Sequence, residues 1–279
     1  MAESNSTPPL PTAMLIIVCC HSVFHGPDLH DEKYWSLAPF QRASGNKPSE
    51  NITFLAHIKE ALKVFLQADC SSPASTGIRP LVVFSGGYTN AQYPDNSEAA
   101  GYMRAAKHLI EHDTIGEFSS LRMKSTESWT ALEERATDLY QNVIFSILRY
   151  KEVCGSYPHQ IVVVTHAFKA ERVRMHAEAI SWNREFDVRG IDPPFDDQER
   201  AQVVELERKN ARDLFSLDPY GARSPLRDKR LARRWTDEVV AQLATGHPES
   251  VDKLLQWTGG ENGNELFMGE LPWSTFIEK

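Results

Sequence analysis

The sequence predicts an α/β fold, a Rossmann-like three-layer parallel sheet with a mainly helical C-terminal extension. Three observations predict it. Short uninterrupted apolar runs occur at 14–20, 80–85 and 160–165, as in strands buried on both faces of a parallel sheet. Stretches with helical apolar spacing lie between them. Strands that alternate with helices imply crossover connections and helices on both faces. The expected organisation is a disordered tail over 1–12, an α/β domain over 13–195 and a helical extension over 196–279 packed on the same domain.

The first twelve residues are polar and Pro-containing, and Met14-Leu-Ile-Ile-Val-Cys-Cys20 then reads as the first buried strand. A long segment from His21 to about Ser49 follows. Loops of that length are usually functional or disordered, and Trp35, Phe40 and Gln41 argue for an ordered one. Leu55, Ile58, Leu62, Phe65 and Leu66 mark one face of a helix over 51–67. Pro80 to Ser85 is the second strand, stopped by Gly86-Gly87. Ser97 is placed to cap a helix through about Glu111.

The longest helix is expected over 128–153, with Thr130 and Glu133 as its capping box and Gly155 and Pro158 as its stop. Gln160 to Thr165 is the third apolar strand. Lys169 to Trp182 reads as helix and Phe186 to Ile191 as a further strand. From Asp196 onward the chain is mainly helical with loops and carries no repeat.

Composition narrows the function classes. The 279 residues are 41% hydrophobic and 24% charged, with formal net charge −8. An acidic surface repels phosphate backbones, so no nucleic-acid partner is expected. No run approaches the length of a membrane span, and no charged leader precedes an apolar stretch, so a soluble cytoplasmic protein is expected. The cysteines Cys19, Cys20, Cys70 and Cys154 form neither a disulfide framework nor a zinc pattern. Sequons at Asn5 and Asn51 are expected to be unused. The basic stretch 223–234 reads as a solvated helix face or as a contact for an anion or a protein partner.

Ligands of open parallel sheets bind outside the carboxyl ends of the strands. The residues that follow the strands are therefore the candidates. They are His21, Ser22, His25 and Gly26 after the first; Ser85, Gly86, Gly87, Tyr88 and Thr89 after the second; and His166, Phe168, Lys169 and Arg172 after the third. His21 and His166 are candidates for acid and base, or else structural histidines. Gly86-Gly87 forms either a tight turn or a backbone cradle with N–H groups turned to a ligand. Lys169 and Arg172 share a helix face at its start, suited to an anion or to nearby carboxylates. Glu98 complements a helix dipole or enters the site, and Asn142 holds a loop or a ligand. Ser85 lies in no G-x-S-x-G motif, and no metal site is expected.

The ordered set LIIVCCH at 15–21, APFQ at 38–41, LVVFSGGYT at 81–89, SEA at 97–99 and VVVTHAFKAERVRMHAEA from Val162 resembles the YdcF/SanA/ElyC-like superfamily. The EERATDLYQNVIFSILRY helix, GIDPP at 190–194, DPYG at 218–221 and LPW at 271–273 complete the set, which looks more closely like the eukaryotic, mostly fungal branch. The resemblance implies a Rossmann-like sheet with recurrent polar positions at His21, Ser85, Gly86, Gly87, Glu98, Asn142, Lys169 and Arg172. It implies a small-molecule-handling protein, with S-adenosylmethionine or a nucleotide as ligand by fold analogy. The chain departs from the pattern at Pro27, Leu139, Gln141 and Lys169. Three functions stand open: an enzyme, of hydrolase or transferase type, acting on a polar or anionic metabolite; a non-catalytic nucleotide- or adenosyl-binding module; and an interaction protein that has lost its ligand.

Overall fold

Five short segments pair into one parallel sheet in the computed structural model, which describes residues 13–45, 47–71 and 79–274. The tail expected over 1–12 and the Asn5 sequon lie outside the described residues. The strands are β1 (Met14–Cys19), β2 (Leu81–Ser85), β3 (Thr130–Glu133), β4 (Gln160–Thr165) and β5 (Glu185–Gly190). Their order is β3-β2-β1-β4-β5, all parallel. Central β1 and β2 carry no charge because both of their faces are covered. Edge strand β5, Glu-Phe-Asp-Val-Arg-Gly, is partly exposed, and its charges keep a second chain from pairing there.

Side chains alternate across each strand. Ile16, Val18, Val82, Phe84, Val162 and Val164 pack with Phe54, Ile58, Leu62 and Phe65 of α1 (Asn51–Ser71) and with α2 (Glu98–Glu111). Leu15, Ile17, Leu81, Val83, Ile161 and Val163 face the other way, toward α4 (Leu139–Cys154) and α5 (Ala170–Ala179). The four-residue α3 (Ser119–Arg122) joins the first layer through Leu121. Each fully buried Val, Leu, Ile or Phe is worth about 1.5–3 kcal/mol of apolar transfer. Ser97 caps α2 by accepting a hydrogen bond from Ala100 N at 2.9 Å.

The helix expected over 128–153 is two elements. Thr130–Glu133 is strand β3, and α4 begins after Asp138, whose side chain accepts from Gln141 N at 2.9 Å. Thr130 and Glu133 thus make no capping box. Four residues are too short to show a two-residue period, and β3 is held by its register against β2, Val82↔Thr130 to Ser85↔Glu133. The expected stop is present, with Gly155 in the left-handed region at φ 75°. The strand at 160–165 is therefore the fourth in the chain.

The segment 21–45 is ordered by its aromatics. Trp35 is 1% exposed, packs on Phe24 at 5.0 Å and donates its indole N–H to Leu29 O at 2.9 Å. Asn51 is fully buried with its amide bonded to Leu29 O and His30 O, so its sequon is closed to a glycan in the folded chain.

Beyond β5 run α6 (Asp197–Glu207), α7 (Asp213–Leu217), α8 (Leu226–Ala232), α9 (Glu238–Ala244) and α10 (Glu249–Leu255). A π-turn at Arg208–Arg212 links α6 to α7. Phe215, Tyr220, Leu226, Trp235, Leu254 and Trp273 share one apolar cluster with α4, α5 and the sheet. Trp273 also donates to Ile180 O at 2.7 Å. The extension is thus a third layer over the α4–α5 side.

The strand order reverses between β1 and β4. The helix that follows β1 covers one face and the helix that follows β4 covers the other. The crevice outside those two carboxyl ends is the position where such sheets bind ligands.

Candidate functional site

A cavity of about 880 Å³ opens there. The register Val18↔Val164 brings the ends of β1 and β4 level, so His21 and His166 emerge side by side with ring centroids 4.7 Å apart. His57 of α1 stands edge-on to His166 at 4.9 Å and 6.0 Å from His21. Phe168 stacks on the opposite side of His166 at 4.9 Å.

Burial, then the positive charge of Lys169, holds His21 and His166 well below the ordinary imidazole range. Burial pushes His57 down to about 4. All three rings are therefore neutral at pH 7. His57 Nε2 donates to Ile191 O at 2.8 Å, because a carbonyl can only accept. Its Nδ1 is then a bare, buried acceptor. His166 is 2% exposed and neither ring nitrogen has a hydrogen-bond partner among the described residues. Glu50 Oε2 stands 3.9 Å from His166 Nε2, too far for a hydrogen bond. His21 Nε2 lies 3.4 Å from Thr165 Oγ1.

The cavity rim carries six cations, and half of them are paired with carboxylates. Lys47 meets Glu50 at 3.2 Å, Arg172 meets Glu207 at 2.6 Å and Arg230 meets Asp138 at 2.6 Å. Among the described residues three have no carboxylate partner: Lys229, which donates to Asn210 O; Arg233, which donates to Thr137 O; and Lys169. Among the described residues no acceptor takes the Lys169 ammonium. Burial and then Arg172 push it down to about 8. Glu98 stands across the rim, accepts from Thr89 Oγ1 at 2.5 Å and is pushed up to about 7 by burial. The lining thus holds neutral imidazoles, a carboxyl that titrates near neutrality and uncompensated positive charge.

The expected Lys169–Arg172 pair does not act as one cationic face. Arg172 is buried and spent on Glu207 from α6, while Lys169 ends the turn Ala167–Lys169 before α5 and remains unpaired. The stretch 223–234 is a largely solvated face, with Arg223, Lys229, Arg233 and Arg234 exposed, whose basic side chains also bond back onto the chain. Arg223 bonds Gly260 O and Glu261 O, Arg227 bonds Asp237, Arg234 bonds Pro94 O, and Arg230 is buried. Sequence spacing cannot show these contacts because their partners lie up to 140 residues away.

Gly86 and Gly87 form no cradle. Gly86 N donates to Glu133 O at 3.0 Å and Gly87 N to Ala136 O at 2.8 Å, so neither N–H remains for a ligand. A Cβ on Gly87 would lie 2.8 Å from Ala136 O, which explains the glycine by close approach of the β3–α4 turn. Ser85 is fully buried. It donates to Glu133 Oε2 at 2.5 Å and accepts from Asn142 Nδ2 at 2.8 Å. Its hydroxyl belongs to a closed network and is not placed as a nucleophile. Asn142 also donates to Ser85 O at 3.0 Å and so ties α4 to the end of β2, while lining the cavity.

His21, Thr89, Glu98, Asn142, His166, Lys169 and Arg172 meet at the cavity, and Ser85, Gly86 and Gly87 stay behind its wall. His25 instead stacks on Tyr93 at 4.6 Å on the outside. Sequence reading missed Glu50 and the π-turn that brings Asn210 and Ala211 to the rim, His57 behind His166, and Glu133 in the Ser85 network. The usable signal was a titratable residue on an apolar helix face, His57 three positions after Phe54. Such π-turns inside helices frequently mark functional sites. Among the described residues no group of three or more His, Cys, Asp or Glu side chains is placed to hold a metal ion. The four cysteines are free, and burial raises the Cys19 and Cys20 thiols, which makes them poor nucleophiles. Among the described residues no helix is long and apolar enough to cross a membrane.

The chain is 29% identical to an uncharacterised protein of Saccharomyces cerevisiae, YOR238W, across 94% of this chain and 97% of the yeast protein. No family model and no solved structure matches.

Proposed function

We propose that the cavity at the β1–β4 switch point binds a small anionic metabolite and transfers a proton to or from it, and that the protein is an enzyme of the YdcF-like type. The carrying observation is Lys169, a half-buried ammonium on the cavity wall that no described acceptor takes. An uncompensated buried charge is costly, and an anion beside it removes that cost. The neutral rings of His21 and His166 supply a base within the same wall. Glu98, titrating near 7, supplies an acid of a different protonation state, and such divergent environments separate acid from base. Lys229 and Arg233, contributed by the C-terminal extension, add to the positive field.

A binding module without catalysis is the second reading. The free positive charge favours a nucleotide or another phosphorylated compound over the cationic S-adenosylmethionine within it. A protein-contact role for 223–234 has less support, because its six basic side chains bond back onto the chain.

A thermal-shift panel of nucleotides, adenosyl compounds, sugar phosphates and inorganic phosphate, with mass spectrometry of the recovered ligand, tests both readings. A phosphorylated compound is expected to raise Tm by mass action. Lys169→Met should weaken it by about tenfold or more, the worth of one charged hydrogen bond. His166→Phe should retain binding and lose conversion. Recovery of an unchanged ligand selects the module, and variants at Lys169 and His166 that change neither binding nor conversion overturn the site.

A further inference from the structure

A second cavity of about 860 Å³ lies on the other side of the Arg230–Asp138 ion pair, between α4 and the helices of the C-terminal extension. Its walls are largely aromatic and aliphatic. Phe145 stacks on Trp235 with ring centroids 5.8 Å apart and planes 15° apart, and Tyr140, Val240, Leu254 and Trp257 complete the lining.

Beside the carboxylates of Asp237, Glu249 and Asp252, the polar lining carries several donors that no described acceptor takes. Gln141 is 1% exposed, and its Oε1 already accepts from Thr137 N at 2.8 Å and Thr137 Oγ1 at 2.7 Å. That orientation fixes its amide nitrogen as the other end, and no described acceptor takes it. The Trp235 indole N–H and the Tyr140 hydroxyl face the cavity on residues 8% and 6% exposed, and no acceptor among the described residues takes them. Burial holds the Tyr140 hydroxyl protonated far above neutral pH. The buried donor of this lining is Arg230 Nη2, which has no partner among the described residues, and buried donors rarely go unmatched in native structures. The local acids are already engaged: Asp237 with Arg227, Glu249 with Lys253 and Asp252 with Gln256.

We infer that this second cavity is a binding site for a small aromatic carboxylate. The carboxylate accepts from Gln141, Trp235 and Tyr140 beside the Arg230 guanidinium, and its ring lies against the Phe145–Trp235 stack. Flat apolar walls with a few convergent polar groups are the usual make-up of such a site. The inference is independent of the reaction assigned to the switch-point cavity, which shares only Arg230 with it.

Calorimetry on the full chain with indole-3-acetate and 3-phenylpropionate, and with the neutral alcohol indole-3-ethanol, tests it. At least one acid is expected to saturate below about 1 mM and to bind about tenfold or more tighter than the alcohol, a difference of about 1.4 kcal/mol. Trp235→Phe with Tyr140→Phe keeps both rings and removes two donors, and should weaken the acid about tenfold or more. Ala241→Trp, which fills the cavity from exposed α9, should abolish binding with far-UV circular dichroism and Tm retained. Lys169→Met should leave it unchanged. No saturation, equal binding of acid and alcohol, binding that survives Ala241→Trp, or loss on Lys169→Met alone would each overturn the site.

Discussion

The two halves of the sheet end differently, although both are parallel strand pairs of the same length class. At the β2–β3 end every polar group is answered. Glu133 accepts from Ser85 Oγ, Arg135 N and Ala136 N, Asn142 holds Ser85, and both glycine N–H groups meet backbone carbonyls. At the β1–β4 end the groups are present and their partners are not. Among the described residues His166 has two bare nitrogens, His57 one, and Lys169 no acceptor. Both ends are buried and polar, so burial and residue type do not separate them. What separates them is hydrogen-bond closure. The closed end is a joint that fixes β3 and α4. The open end keeps unmet polar capacity that stability alone does not explain, and that is where a ligand has something to satisfy.

The largest expected effect breaks the closed end. Glu133→Ala strands three donors and should cost about 3–5 kcal/mol in urea unfolding, since each buried unmatched group costs about 1–3 kcal/mol. A loss below about 1 kcal/mol would mean that water replaces the carboxylate and that the end is not closed.

Acid comes next and should act on the open end. Folded His57 titrates near 4 and His21 and His166 also lie well below 6.5, so the unfolded chain binds more protons between these values. Their contribution is fully present above about pH 6.5 and is lost as pH falls toward 4. Glu98 and Glu133 have the opposite sign. Their folded values near 7 exceed the ordinary carboxylate value, so their contribution is present at low pH and lost as pH rises through 7. Tm measured from pH 4 to 8 should therefore steepen on the acid side for wild type and flatten there in His57→Phe. Identical acid limbs would remove the histidines from the account.

Gly87→Ala should cost about 1–3 kcal/mol, because its Cβ meets Ala136 O and the whole β3–α4 turn must give. Thermal unfolding measures it, and a neutral result would show the turn to be pliable.

The smallest effect is expected at the centre of the open end. His166→Phe removes two unmatched nitrogens and keeps a ring, so Tm should change by less than about 1 kcal/mol equivalent or rise. A loss of about 3 kcal/mol would make His166 a structural residue and close the comparison.

Much of this was legible in the chain. The uncharged runs at 14–20, 80–85 and 160–165 determined a parallel sheet with two covered faces, since only strands shielded on both sides dispense with polar residues. From the sheet followed the rule that places His21, Thr89, His166 and Lys169 at one rim. Local caps were legible too, at Ser97 and Gly155, because their partners lie within a few residues. What the tertiary structure decided is which polar groups are spent. β3 exists through its neighbour β2 rather than through its own four residues. Arg172 is neutralised by Glu207, Arg230 by Asp138, and the glycine N–H groups by the β3–α4 turn, while Lys169 and His166 are left open. Those outcomes depend on partners far along the chain, and hydrogen bonding and charge pairing act over a few ångströms of space, whatever the separation in sequence.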